Sequence, residues 1–165
     1  MTDAARRPAE GGSWVALLGF VALCLGVAAI GGWATSVSVG GWYQTLDKPE
    51  WTPPDRVFAP VWTILYVMMA VAAHRVWCRA VGKAGHAALA LFGVQLALNL
   101  LWSILFFRLQ RTGLALLDIV LLWTAIAATA VAFWRIDRLA GILLLPYLVW
   151  VTYAVVLNAA IWHLN

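Results

Sequence analysis

Polar side chains recur at helical spacing inside one long apolar run of the sequence. Gln95, Asn99 and Ser103 follow one another at four-residue intervals. Trp102 and Phe106 fall on the same side of a helix, because each residue advances by about 100°. Amide and indole groups in an apolar stretch could bind a ligand, since such groups are costly in hydrocarbon and commonly mark a functional site. The alternative is that the amides hydrogen-bond across helices and only hold them together.

Three other apolar runs carry side chains of similar kinds. One run has four of them at i, i+3, i+7 and i+11, namely Tyr147, Trp150, Ala154 and Asn158. Trp62 and Tyr66 lie one turn apart in another run, and Asp118 lies about one turn inside the start of a third. Asp118 could join a site with them, or it could stay solvated at the end of its run or pair with Arg111.

The composition shows which solvent surrounds these runs. Of 165 residues, 64% are hydrophobic and 11% are charged, and the mean hydropathy is +0.88, whereas a soluble domain has about 25% charged residues. Five runs reach the length of about 20 residues that a helix needs to cross the hydrocarbon. They cover roughly 14–33, 60–78, 87–107, 114–134 and 141–162. Because each run is continuously apolar rather than alternating, the sequence predicts an all-α membrane protein, a five-transmembrane-helix bundle in a lipid bilayer.

The connections between the runs indicate the domain organisation and the orientation. We expect residues 1–13 to form an N-terminal cytoplasmic tail and residues 14–165 to form one transmembrane domain with a long first loop at about 34–59. Prolines and aromatic residues in and beside that loop favour a packed cap over a linker. Seven of the eleven basic residues lie on the N-terminal side, which places the N-terminus in the cytoplasm. The net charge of +4 is spread over short segments, which suits lipid headgroups and argues against a nucleic-acid partner.

Alternating helix directions bring the candidate residues to one end of the bundle. Numbered in chain order, the second and fourth runs start on the side from which the first loop emerges. The third and fifth runs end on that same side. We therefore expect a mostly apolar pocket beneath the loop, whose indole and phenol rings suit a large planar ligand. The sequence shows no nucleophile–base pair, metal-ligand cluster or nucleotide-binding loop, so we predict no catalytic or metal site.

The third span also has a smooth face. Ala90, Gly93 and Ala97 lie opposite its polar side. Small residues at this spacing let two helices approach closely. We expect this face to form a dimer interface.

Five segments of the chain match, in order, the signature blocks of one family. They are WYQTLDKPEWTPP at 42–54, PVWTILY at 60–66, QLALNLLWSILFF at 95–107, PYLVW at 146–150 and YAVVLN at 153–158. On these segments the chain resembles the tryptophan-rich sensory protein / translocator protein family, also called peripheral benzodiazepine receptor-like. The resemblance covers nearly the whole chain from the first span onward.

The resemblance implies a five-helix bundle, usually a homodimer, that binds porphyrins such as protoporphyrin IX beneath the first loop. Such a protein acts as a sensor or transporter, with the porphyrin as a ligand and no required cofactor. Carried over by motif, the pocket would contain Tyr43, Pro53, Trp62, Asn99, Trp102, Trp150, Ala154 and Asn158. Because some family members are reported to degrade protoporphyrin in light, a light-dependent porphyrin-degrading enzyme is the alternative.

Two further expectations follow from the C-terminal segment and the composition. Animal members have a sterol-recognition pattern with Tyr and Arg where this chain has Ala159 and His163. We therefore expect weak or no sterol binding. The same departure and the Ala- and Leu-rich sequence favour the bacterial cell membrane, whereas a eukaryotic member would lie in the mitochondrial outer membrane.

Overall fold

The computed structural model describes residues 10–80 and 82–165, and the described residues are almost entirely helical. The helices are Glu10–Val39, Trp42–Thr45, Asp55–Arg79, Gly82–Ser103, Thr112–Ile136, Arg138–Leu143 and Leu145–Leu164, with a π-helical turn at Ile104–Arg108. They form five segments long and apolar enough to cross a membrane, called spans 1 to 5 below: Ser13–Val39, Asp55–Arg79, Gly82–Arg108, Thr112–Ile136 and Arg138–Leu164. The prediction of an all-α, five-helix membrane protein is confirmed.

The helices extend further than the apolar runs predicted. Span 1 continues to Val39 instead of ending near 33, because the Thr35 and Ser36 hydroxyls donate to carbonyls of their own helix and do not interrupt it. Span 2 begins at Asp55, directly after Pro54, since a proline disfavours the helical conformation in the residue before it. The first loop therefore covers 40–54 rather than 34–59 and contains the short helix Trp42–Thr45.

The start of the chain differs from the predicted tail in one respect. The first helix begins at Glu10, so residues 10–13 already belong to it. Residues 1–9 lie outside the described part of the chain. The cytoplasmic placement of this end stays a prediction.

Span 2 contributes several of the completely buried residues of the bundle core. Met69, Ala70, Ala73 and Val76 are completely buried, and they pack in one apolar core with Phe133 of span 4. Small side chains on this span let the neighbouring helices approach it closely, which is the usual way in which membrane helices pack without a hydrophobic driving force. These contacts hold the helices together in the half of the bundle on the side of the N-terminus.

An ionic cluster ties the ends of spans 2, 4 and 5 together on the N-terminal side. The Asp137 carboxylate pairs with Arg75 at 3.0 Å and with Arg79 at 2.9 Å. It also accepts hydrogen bonds from the backbone N–H groups of Leu139 and Ala140 and so caps the last span. Burial by itself raises the pKa of Asp137, but the Arg75 and Ala140 hydrogen bonds and the two guanidinium charges outweigh it and lower the pKa overall.

Candidate ligand-binding chamber

A cavity of about 360 Å³ lies beneath the first loop, between the C-terminal half of span 1, the start of span 2 and the end of span 3. We call it the chamber. Its walls are mostly apolar and aromatic, and they are formed by Ala28, Gly31, Gly32, Thr35, Ser36, Val39, Tyr43, Asp55, Phe58, Ala59, Trp62, Thr63, Tyr66, Asn99, Trp102, Ser103 and Phe107. The size falls within the range of small-molecule pockets, about 300–1,000 Å³.

Asn99 forms the polar centre of the chamber wall. The Tyr66 hydroxyl donates to its side-chain carbonyl, and its amide donates to the Tyr147 hydroxyl at 2.9 Å. These bonds join spans 2, 3 and 5 through side chains that are nearly or completely buried. Asn99 therefore both holds three helices together and faces the chamber, so the two interpretations of its sequence pattern are compatible.

Trp102 forms a second connection across the bundle. Its indole N–H donates to the side-chain carbonyl of Asn158 at 3.0 Å, and the Asn158 amide donates to the Thr112 carbonyl at 2.9 Å. The ring stacks on Phe106 with centroids 5.4 Å apart and meets Phe107 edge-on at 5.8 Å. The indole is therefore held at a fixed angle as part of the wall.

The span 5 residues predicted for the site line a separate, smaller void. It measures about 30 Å³, and Trp150, Ala154 and Asn158 form its span 5 side. Tyr43, Phe58, Trp102 and Phe107 form walls of both spaces. The two spaces are therefore neighbours separated by aromatic side chains.

The first loop covers the chamber and is fastened at several points. Tyr43 is 3% exposed, and the Lys48 ammonium lies 4.9 Å from its ring centre while donating to the Tyr43 and Leu46 carbonyls. Gln44 donates to the Asp55 carboxylate at 2.8 Å. Burial, and secondarily the nearby Asp55 and Tyr153, raise the pKa of the Tyr43 hydroxyl to about 12. The phenol therefore stays neutral at physiological pH.

Contacts with the C-terminal half of span 5 also hold the loop. The Tyr153 hydroxyl donates to the Trp51 carbonyl at 3.1 Å, and the two rings meet edge-on. Asn165 accepts a hydrogen bond from the Asp47 N–H and donates to the Asp47 carbonyl, both at 3.0 Å. The proline-containing loop is thus a packed cap over the aqueous end of the chamber.

The predicted site residues fall into three groups. Five of them line the chamber: Tyr43, Trp62, Tyr66, Asn99 and Trp102. Three line the smaller void and not the chamber, namely Trp150, Ala154 and Asn158. The remaining three, Pro53, Asp118 and Tyr147, line neither space. Tyr147 still contributes indirectly, because it is fully buried, bonds to Asn99 and packs its ring 6.1 Å from that of Trp62.

Asp118 is buried in span 4, where it is neither solvated nor paired with Arg111. It is 5% exposed, so it is not solvated, and its Oδ2 atom has no hydrogen-bond partner among the described residues. Within 10–80 and 82–165 the ion pairs join Asp137 to arginines, and none joins Asp118 to Arg111. Gln95 likewise lies outside the chamber, where its amide contacts the Met69 sulfur at 3.7 Å.

The sequence reasoning missed the contribution of span 1. Gly31, Gly32, Thr35 and Ser36 face the chamber from this helix. The sequence feature that could have indicated this face is the run of small and hydroxyl residues near the end of span 1, whose other residues are mostly bulky and apolar. On span 3, by contrast, Ala90, Gly93 and Ala97 are exposed. Dimerisation through that face stays a prediction.

Comparison with known proteins identifies similar chains. A family model described as the TspO/MBR family matches residues 20–163. The protein CrtK of Rhodobacter capsulatus is 40% identical over 147 residues, covering 88% of this chain and 92% of the relative. The tryptophan-rich protein TspO of Chlorobaculum tepidum is 44% identical over 149 residues, with coverage of 88% and 92%. The translocator protein of Sus scrofa is 39% identical over 158 residues, with coverage of 92% and 91%.

Proposed function

Because the chain belongs to the TspO/MBR family of sensory or transport membrane proteins, we propose that it binds porphyrins and similar planar hydrophobic molecules in the chamber and acts as their sensor or transporter. The observation that carries the proposal is the aromatic lining of a preformed cavity beneath the loop. Tyr43, Trp62, Tyr66, Trp102 and Phe107 all contribute to it. Their rings provide stacking surface for a flat apolar ligand.

The polar groups of the wall favour the binding of an apolar ligand, because many of them are already hydrogen-bonded within the protein. Tyr66, Asn99 and Trp102 donate their hydrogen bonds to other side chains. An apolar ring system placed against them leaves none of those bonds broken, so it incurs little desolvation cost. The loop end of the chamber is more polar, since Asp55 lies on the wall and Arg56 follows it. Carboxylates of a porphyrin would remain at that end because of water and the cations Lys48 and Arg56, whereas the Asp55 carboxylate, which accepts a hydrogen bond from Gln44, would repel them.

The smaller void offers additional room for a large ligand. Phe58 is one of the residues that line both spaces, and it packs against Trp150 with ring centres 5.8 Å apart. Movement of Phe58 together with the other side chains that line both spaces, Tyr43, Trp102 and Phe107, would join the two spaces. Trp150, Ala154 and Asn158 would then contact the ligand, as the signature blocks imply.

Fluorescence quenching tests the proposal. Protoporphyrin IX should quench the tryptophan fluorescence of the detergent-solubilised protein saturably. Trp102→Phe should weaken binding about tenfold, equivalent to about 1.4 kcal/mol of lost stacking and positioning. The matched control is Trp123→Phe, because Trp123 lies outside the chamber and donates to Thr152 at 2.8 Å. Quenching that never saturates, or equal weakening by both substitutions, would contradict the proposal.

We also propose homodimerisation through the exposed small face of span 3, in the bacterial cell membrane. A Cβ at Gly93 would meet no atom within 4 Å, so Gly93→Leu should leave the monomer intact. It should shift the protein from dimer to monomer in mass measurements of nanodisc particles. Gly26→Leu, also without close neighbours, serves as the control. An unchanged dimer in Gly93→Leu would refute this interface.

A further inference from the structure

The exposed residues of the chamber wall all belong to two helices. Gly32 and Ser36 of span 1 are exposed, as are Asp55, Ala59 and Thr63 of span 2. The wall residues from the loop and from span 3 are instead buried or half-buried. The chamber is therefore open on the side between spans 1 and 2. Asp55 lies at the loop end of this opening and accepts a hydrogen bond from Gln44. We call the other four residues, Gly32, Ser36, Ala59 and Thr63, the doorway.

The doorway extends from near the helix ends, where Ser36 and Ala59 lie within about 6 Å of the ends of their spans, down to the depth of the lipid, where Gly32 and Thr63 lie. Gly32 is seven residues before the end of span 1, which places it about 10 Å below that end at the α-helical rise. Thr63 is eight residues after the start of span 2, which is about 12 Å along the helix. An opening at this depth in a bilayer with a hydrocarbon core of about 30 Å faces acyl chains.

The doorway presents little polarity to those chains. The Thr63 hydroxyl donates to the Ala59 carbonyl at 2.8 Å, and the Ser36 hydroxyl donates to the Trp33 carbonyl at 2.9 Å. Since a carbonyl oxygen can only accept, each hydroxyl proton is directed into its own helix. The other two doorway residues, Gly32 and Ala59, are small and apolar. An apolar molecule can pass these four residues without breaking a hydrogen bond.

In contrast, the route from water into the chamber past the first loop is obstructed. The loop is held by the bonds of Gln44 to Asp55, Tyr153 to Trp51, and Asn165 to Asp47. Buried Tyr43 fills the space beneath it. Entry through this end would require several of these contacts to break together.

We propose that hydrophobic ligands enter and leave the chamber sideways from the bilayer through the doorway between spans 1 and 2. This rests on the proposed function, because it assigns an entry path to the same site. Planar apolar molecules partition into the membrane, so the lipid supplies a higher local concentration than water does. The loop then acts as a fixed roof during exchange.

Binding kinetics in a bilayer test this path. Wild type, Gly32→Leu and Ala59→Leu are reconstituted in liposomes preloaded with protoporphyrin IX, and tryptophan quenching is followed after rapid mixing or dilution. A Cβ at Gly32 meets no atom within 4 Å, so the leucine can be accommodated while obstructing the doorway. Association and dissociation should both slow by about tenfold, the effect of a barrier higher by about 1.4 kcal/mol. Gly26→Leu, on the same helix and outside the chamber wall, should retain wild-type rates.

A second variant tests the competing route through the loop. Asn165→Ala combined with Tyr153→Phe removes the loop's hydrogen bonds to span 5. If the doorway is the path, this variant should exchange ligand at the wild-type rate. Faster exchange here, or unchanged rates in both doorway variants, would overturn the doorway while saturable binding still supported the chamber. Wild-type protein that shows no saturable binding would overturn the proposed function and the doorway with it.

Discussion

Replacing Asn99 by leucine should measure how much the buried network contributes to the bundle. The change removes both side-chain hydrogen bonds and leaves the hydroxyls of Tyr66 and Tyr147 without this partner. Interhelical hydrogen bonds in membrane proteins contribute about 0.6 kcal/mol each on average and up to about 1.7. Two of them, lost at a site that is 2% exposed, predict a destabilisation of about 1–3 kcal/mol. For a domain of this size that lowers the melting temperature by roughly 3–10 °C.

A double-mutant cycle isolates the network from simple repacking. Thermal unfolding in detergent, followed by circular dichroism, would compare Asn99→Leu, Tyr147→Phe and the double variant. If the Asn99–Tyr147 bond is as the structure places it, the double variant should be more stable than additivity predicts by about 0.5–1.5 kcal/mol. Additivity within about 0.3 kcal/mol would refute the assignment.

The same variants separate the structural role of Asn99 from its role in the chamber. Tyr147 lies outside both cavities, so Tyr147→Phe should reduce stability while changing porphyrin affinity less than about twofold. Asn99→Leu alters the chamber wall itself and should change both quantities. Equal losses of affinity in the two variants would show that binding follows stability alone.

Three further predictions concern packing and pH. Gly141→Ala should destabilise the protein by about 1–3 kcal/mol, because its Cβ would come within 2.7 Å of the Trp134 side chain. Gly26→Ala, with open space around it, should be neutral or stabilising in the same melting assay. Asp137→Asn should cost about 1–3 kcal/mol at neutral pH, and it should remove part of the acid sensitivity of the wild type. The acid sensitivity arises because the carboxyl pKa of Asp137 is lower in the folded state than in the unfolded state. The ionised carboxylate therefore stabilises the fold above pH about 4, and this stabilisation is lost as the pH falls through the folded-state pKa. Tyr43 should give the opposite pH dependence of stability. Because its pKa is raised from 10.0 to about 12, stability should fall as the pH rises through that interval, and it should fall less in Tyr43→Phe. Melting temperatures of wild type and of each variant, Asp137→Asn and Tyr43→Phe, measured across pH would check these two predictions. The same pH dependence in wild type and variant would contradict them.

The sequence was sufficient to predict the spans and the end of the bundle where the chamber lies. Length and hydropathy identify a helix that crosses lipid, and alternating directions place Trp62, Asn99 and Trp102 at one depth. All three line the chamber. Hydropathy could not show which face of span 1 turns inward, because lipid and protein core are both apolar and the helix carries few polar residues to distinguish them. Gly31, Gly32 and Thr35 were therefore missed.

Other features depended on side-chain packing that no periodicity reports. Tyr147 shares a helical stripe with Trp150 and Ala154, yet it is fully buried against Asn99 while they line the smaller void. The two spaces are separated by Tyr43, Phe58, Trp102 and Phe107, whose rotamers the sequence does not specify. The helix ends were also misjudged, because the hydroxyls of span 1 bond to their own backbone and extend the helix beyond its apolar run.

Internal pairing of polar groups explains how one site can be both structural and open to lipid-soluble molecules. A cavity in a bilayer with unpaired donors would either bind water or be unstable, since each unpaired group costs several kcal/mol there, about 2–7 in apolar media. Here Asn99 pairs with two tyrosines, Trp102 pairs with Asn158, and Thr63 pairs with its own helix. Away from Asp55 at the loop end, the surface that remains is mostly aromatic and aliphatic, so shape and stacking largely govern which molecules fit. It follows that substitutions which unpair a wall group, such as Asn158→Ala beside Trp102, should weaken binding of apolar ligands more than the small change in volume alone would predict.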